Sequence, residues 1–157
     1  MGADPFEATP EAAVALGRSL FHGLAGCWNC HPAYATRPEI VKAHETTKVT
    51  FSGFRDDLYG ADAKPTEWGA PIRPTDFLHD RIKTGFAVAS IAQVISAGIT
   101  GTAMPTWGYS LTNEQLWALA YYVRSLALLR DTPEAVALER TLAAQPPYEP
   151  TPAEGTK

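Results

Sequence analysis

The chain has 157 residues, of which 45% are hydrophobic and 19% charged, with a formal net charge of −4 and a mean hydropathy of −0.14. These values fit one soluble globular domain with short extensions and exclude a disordered polyelectrolyte. The acidic balance argues against nucleic acid, which needs a basic face, and no apolar run approaches the length of a membrane span.

Met1-Gly2-Ala3-Asp4 carries neither a charged start nor an apolar stretch, so no signal peptide is visible, and residues 1–8 read as an extension. Thr9 suits a helix cap, Pro10 its first position and Glu11 its positive end, predicting a helix over 10–21. Gly17 and Phe21, four apart, fall on one face. His22 near the helix end is expected to be an exposed cation complementing the dipole.

Cys27-Trp28-Asn29-Cys30-His31 follows, a C-x-x-C-H run and the attachment signature of c-type haem. Cysteines three apart share one side of a helical turn. Their sulfurs can add to both vinyl groups on one edge of a porphyrin, and His31 can offer its imidazole to the iron. A structural zinc site wants four N/S ligands, but there is no third cysteine, and His22, His44 and His79 are scattered singly. A thioredoxin-like dithiol should sit near a βαβ pattern, which is missing. An inert disulfide leaves His31 without a purpose. Covalent haem is therefore the preferred reading.

Residues 33–70 are the least informative. Residues 46–54 alternate loosely, as in a short hairpin, and 56–66 read as surface loop. Arg55, Lys64 and Arg73 are candidates for holding haem propionates, against the plainer expectation of solvated surface charge. His44 and His79 are the rival distal ligands, with a surface location the default for each.

A short second helix is predicted from Ser90, with Gln93 completing a capping box and Gly98 closing it. Gly101-Thr102-Ala103-Met104-Pro105 then holds a thioether in a tight loop. Met1 is the initiator, so Met104 has no competitor of its kind. A lone methionine usually fills a core gap. Its setting between glycines and a proline, downstream of C-x-x-C-H, makes it the expected second iron ligand. Trp107 and Tyr109, just beyond, are candidates for edging the haem, with plain core packing as the alternative.

Thr112 and Gln115 form a further capping box, with Leu111 and Leu116 at the hydrophobic-staple positions. Leu116, Leu119, Ala120, Val123 and Leu126 recur at helical spacing, predicting a third helix to about residue 129. Thr132 and Pro133 open an extra helix over 131–145. Residues 146–157, rich in Pro, Glu, Thr and Gly, read as a flexible tail. Thirteen prolines and twelve glycines imply long loops around a flat cofactor. Folding is then expected to depend on haem, because a ligand bound only by the native state stabilises it.

Cys27 to His31, the run Gly98-Ile99-Thr100-Gly101-Thr102-Ala103-Met104-Pro105 and the helix Leu116 to Leu126 resemble class I c-type cytochromes. Pro74-Thr75-Asp76-Phe77 is similar to a segment of bacterial members. The resemblance spans residues 9–130, with 33–70 diverging. It implies an all-α fold of helices and long loops around one covalent haem, with Cys27 and Cys30 attached and His31 and Met104 on the iron. It also implies that the first and last helices cross, here at Gly17, Phe21, Leu119 and Tyr122. The implied role is one-electron transfer without catalysis, between donor and acceptor proteins of a respiratory or other bacterial electron-transfer chain, outside the cytoplasmic membrane. Two alternatives stay open: a haem domain or subunit of a larger membrane-bound, molybdenum or copper oxidoreductase complex, and a haem gas sensor or enzyme with a displaceable distal ligand. Haem propionates would add negative charge and favour a partner with a basic face.

Overall fold

Helix α1 is Pro10–His22, with Pro10 supplying the preset first-turn φ and Glu11 the favourable charge. A 3-10 turn, Cys27–Asn29, follows, then α2, Arg37–Thr47, and a two-stranded antiparallel hairpin of β1, Lys64–Pro65, and β2, Pro71–Ile72. Helices α3, Val88–Ala97, α4, Asn113–Leu128, and α5, Pro133–Ala143, complete the chain. This computed structural model describes residues 1–146 and residue 148. The expected tail therefore falls outside the described residues, apart from Pro146 and Tyr148. The fold is mostly helical, and the hairpin corrects the expectation of an all-α chain.

The core forms where α1 crosses α4. A Cβ on Gly17 would lie 2.0 Å from the Ala118 carbonyl oxygen and 2.7 Å from the Tyr122 Cβ, so only glycine permits this approach. Phe21 meets Tyr122 edge-on at 5.4 Å, and Leu20, Phe21 and Leu119 are buried beside them. Each such side chain contributes about 1.5–3 kcal/mol by leaving water. The implied crossing at Gly17, Phe21, Leu119 and Tyr122 is thus present. Helix α3 packs on α4, and α2 on α1.

Thr112 and Gln115 form the expected reciprocal cap on α4, and the Thr132 hydroxyl accepts from the Ala135 amide to cap α5. Elsewhere the expectations need correcting. Helix α3 begins at Val88, so Ser90 lies inside it and caps nothing. Val88, Ile91, Ala92 and Ile95 make one apolar stripe, and packing the whole stripe on α4 outweighs the missing cap. Residues 46–54 form no hairpin. Thr46 and Thr47 end α2, Lys48 takes a left-handed φ of 57°, and the strands lie further on. Helix α2 was not expected, although Thr36 opens it with Glu39 accepting from both the Thr36 amide and hydroxyl at 2.8 Å. Among the described residues, no helix is long and apolar enough to cross a membrane.

Candidate functional site

The 3-10 turn places Cys27 and Cys30 one above the other, because residues three apart eclipse at that pitch. The Cys30 amide donates to the Cys27 carbonyl at 3.2 Å and the His31 amide to the same oxygen at 2.9 Å. Both thiols are free and half-buried. Desolvation pushes the Cys27 thiol up to about 12. A redox dithiol needs the opposite, a thiol lowered by positive surroundings.

His31 Nδ1 donates to the Thr75 carbonyl at 2.9 Å. That bond settles the tautomer, leaving Nε2 as the lone-pair nitrogen, which bonds to nothing among the described residues. Burial holds the imidazole below its ordinary value, so it is the neutral base a metal requires. Phe77 stacks on the ring at 4.9 Å and 16°, fixing its rotation. A ligating histidine nearly always gives its second N–H to a carbonyl or carboxylate in this way.

Several neighbours brace the backbone of the turn. The Trp28 indole donates to the His22 carbonyl at 2.9 Å, and the Asp62 amide to the Cys30 carbonyl at 2.8 Å. Arg55 directs its guanidinium to the carbonyls of Trp28 at 3.0 Å, His31 at 2.9 Å and Leu58 at 3.1 Å, and also to those of Asp57 and Gly60. Arg55 is therefore a clamp on the backbone of the cysteine turn, not the propionate holder considered from sequence. Lys64 pairs with Asp62 and Arg73 with Asp80 at 3.2 Å, so each already has a carboxylate.

Met104 sits half-buried in the loop between α3 and α4. Gly98 ends α3 at φ +69°, and a Cβ there would lie 2.8 Å from the Pro105 carbonyl and 2.9 Å from the Met104 oxygen. The Ile99 amide donates to Met104 at 3.3 Å, and the Met104 amide to the Thr102 hydroxyl at 3.2 Å. Trp107 is half-buried with its amide on Ile95, whereas Tyr109 is 95% exposed and is no core aromatic.

The other histidines depart from expectation. His22 is buried, not an exposed cation. Its Nδ1 donates to the Arg18 carbonyl at 2.9 Å and its Nε2 accepts from the Tyr34 amide at 3.3 Å, and burial lowers its pKa to about 4. His44 is buried too, between Trp28 and Phe51, because it shares the inner face of α2 with Ile40. His79 is exposed and paired with Glu139 of α5. Among the described residues, no three His, Cys, Asp or Glu side chains gather to hold a metal ion.

A chain of the reducing HAO-like protein complex of Kuenenia stuttgartiensis superposes with a TM-score of 0.54 at 24% identity, over 74% of this chain and 44% of that one. The likeness establishes a shared fold. This chain spans less than half the length of that neighbour. No protein-family model matches the chain, and no curated protein matches it.

Sequence reasoning named Cys27, Cys30, His31 and Met104, gave Arg55 a different role, and missed Tyr34 and the Thr75 carbonyl. Only the run Pro74 to Phe77 carried a signal, through its family resemblance. Nothing in the neighbourhood of Arg55 marks it as a clamp.

Proposed function

We propose that this chain is a monohaem c-type cytochrome of the class I kind, passing single electrons between redox proteins outside the cytoplasmic membrane. One observation carries the reading: His31 is half-buried beside two thiols on one turn, with Nδ1 committed to Thr75 and Nε2 bonded to nothing among the described residues. A zinc site lacks further ligands nearby, and the raised Cys27 thiol speaks against a dithiol catalyst. The four residues fit a covalent haem. Cys27 and Cys30 would hold it by thioethers, and His31 and Met104 would take the two faces of its iron.

When bound, such a group supplies a one-electron couple whose potential is raised by methionine relative to two histidines. The protein's part is orientation and burial. Thr75 holds the proton on Nδ1 of His31, Phe77 fixes the ring plane, and Arg55 keeps the cysteine turn rigid, so that little must reorganise when charge changes. The match to a chain of a larger complex favours a second reading, in which this is the haem domain or subunit of a bigger oxidoreductase assembly. A gas sensor or haem enzyme with a displaceable distal ligand has no supporting observation of its own.

Mass spectrometry of protein matured with a haem-attachment system tests the central point. We expect one added haem, a six-coordinate low-spin spectrum and no carbon monoxide binding at neutral pH. Met104→Ala should open the iron to carbon monoxide while leaving haem attached. The bare polypeptide mass from such cells would overturn the reading.

A further inference from the structure

Three residues beyond His31, the Tyr34 side chain enters the core between Phe21 and Phe77, 2% exposed. Its hydroxyl donates to Asp76 Oδ1 at 3.1 Å and accepts from the Phe77 amide at 2.8 Å. Asp76 Oδ1 also takes the Leu78 amide at 3.1 Å. Burial and the Asp76 charge push the phenol up, so it stays a proton donor. The two groups it touches belong to the residues directly after Thr75, the acceptor for His31.

We propose that Tyr34 is a positioning residue for His31: its hydroxyl, bonded to Asp76 and the Phe77 amide, fixes the Thr75 carbonyl that receives the imidazole proton. The bonds close a ring. The chain runs from His31 to Tyr34, across the hydroxyl to Asp76 and Phe77, back to Thr75, and through its carbonyl to His31 Nδ1. The histidine and its acceptor therefore move as one unit. Asp80 holds the same peptide from the solvent side, accepting from the Asp76 amide at 2.8 Å, but its carboxylate is 39% exposed and water can replace it. The Tyr34 side chain, by contrast, is held in the core by Phe21 and Phe77. His22 completes the support by accepting the Tyr34 amide.

The chemical consequence follows from the acceptor. A well-aimed carbonyl makes a stronger Nδ1–H···O hydrogen bond, draws the proton away from the ring and makes the imidazole a better electron donor, which would favour the oxidised metal. Loosening Thr75 should raise the reduction potential. The inference rests on the haem reading, so haem attachment to the wild-type protein is verified first. Its failure would sink that reading and leave nothing to position.

With haem attached, Tyr34→Phe should keep the attachment and the spectrum. It should shift the equilibrium with a one-electron reporter about tenfold toward the reduced form, ~59 mV, and speed exchange of the His31 Nδ1 proton. Tyr59→Phe is the control, since its hydroxyl bonds to Gln145 and Ala35 and touches neither Asp76 nor Phe77; its potential should match wild type. If Tyr34→Phe does not hold haem, Asp76→Asn decides by a smaller shift in the same direction. An unchanged potential and exchange rate in the variant that retains haem would overturn the proposal.

Discussion

The cysteine turn and the Met104 loop, proposed to supply the two iron ligands, are built differently. The cysteine turn is tied to α1 through Trp28, to the 55–62 segment through Arg55 and Asp62, and to Thr75 through His31 itself. The Met104 loop is tied mostly to itself and to the end of α3, and much of it is exposed. One side is a rigid anchor assembled from distant parts of the chain. The other is a local turn whose bonds reach few other elements. In the proposed haem protein, this difference would hold the cofactor firmly on the histidine side and concentrate any ligand exchange on the methionine side.

The largest test of that contrast is Arg55→Ala. Five carbonyls lose a charged donor, and thermal or denaturant unfolding should show a loss on the order of 3 kcal/mol. An effect smaller than that of the methionine-loop variant below would reverse the comparison.

His22, behind the cysteine turn, supplies a pH test of similar size. Its folded pKa of about 4 lies below the ordinary 6.5, so the unfolded chain takes up the proton first. Stability should be full above pH 6.5 and fall as pH drops toward 4, by on the order of 3 kcal/mol. His22→Gln, which keeps a donor and an acceptor, should flatten that acid slope in unfolding measured across pH.

Gly98→Ala probes the methionine side. A side chain at φ +69° facing Pro105 should cost ~1–3 kcal/mol. It should also let carbon monoxide bind to the haem-loaded variant at neutral pH, where the parent binds none, as seen by stopped-flow absorbance. A variant that still binds no carbon monoxide would mean that the loop is held more firmly than its bonds suggest.

The smallest effect belongs to Glu139→Gln, which removes the pair between α5 and His79. Both partners are well exposed, so the loss should stay below ~1 kcal/mol. Glu139 raises the pKa of His79 above 6.5, so the pair stabilises below that pH and fades as pH rises through the raised value. Parent and variant should therefore converge in alkaline melts, and a persistent gap would point to packing instead of charge.

Local signals explain which parts were readable. C-x-x-C-H, the Thr112 and Thr132 caps, Pro10 and Gly98 each act within a few residues of themselves, so a linear chain displays them. The cysteine turn, the methionine loop, and helices α1, α4 and α5 were legible for that reason. Helix α2 carries a capping signature at Thr36 and Glu39, but its apolar face is only Ile40, Ala43 and half a histidine, too sparse to stand out. His22 was read as a helix-end cation because its burial comes from α2 and Tyr34 closing over it.

By itself the sequence determined the candidate ligands and the start of most helices, since each depends on chemistry between near neighbours; the glycine at the main crossing, which meets Ala118 and Tyr122, was expected only through the family resemblance. Tertiary structure alone decided that Arg55 clamps the cysteine turn, that His31 gives its proton to Thr75, and that Tyr34 secures that acceptor. Those bonds join residues 24 to 44 positions apart. Hydrogen bonds of that span exist only after the core has brought the segments together, and no local pattern of side chains encodes them.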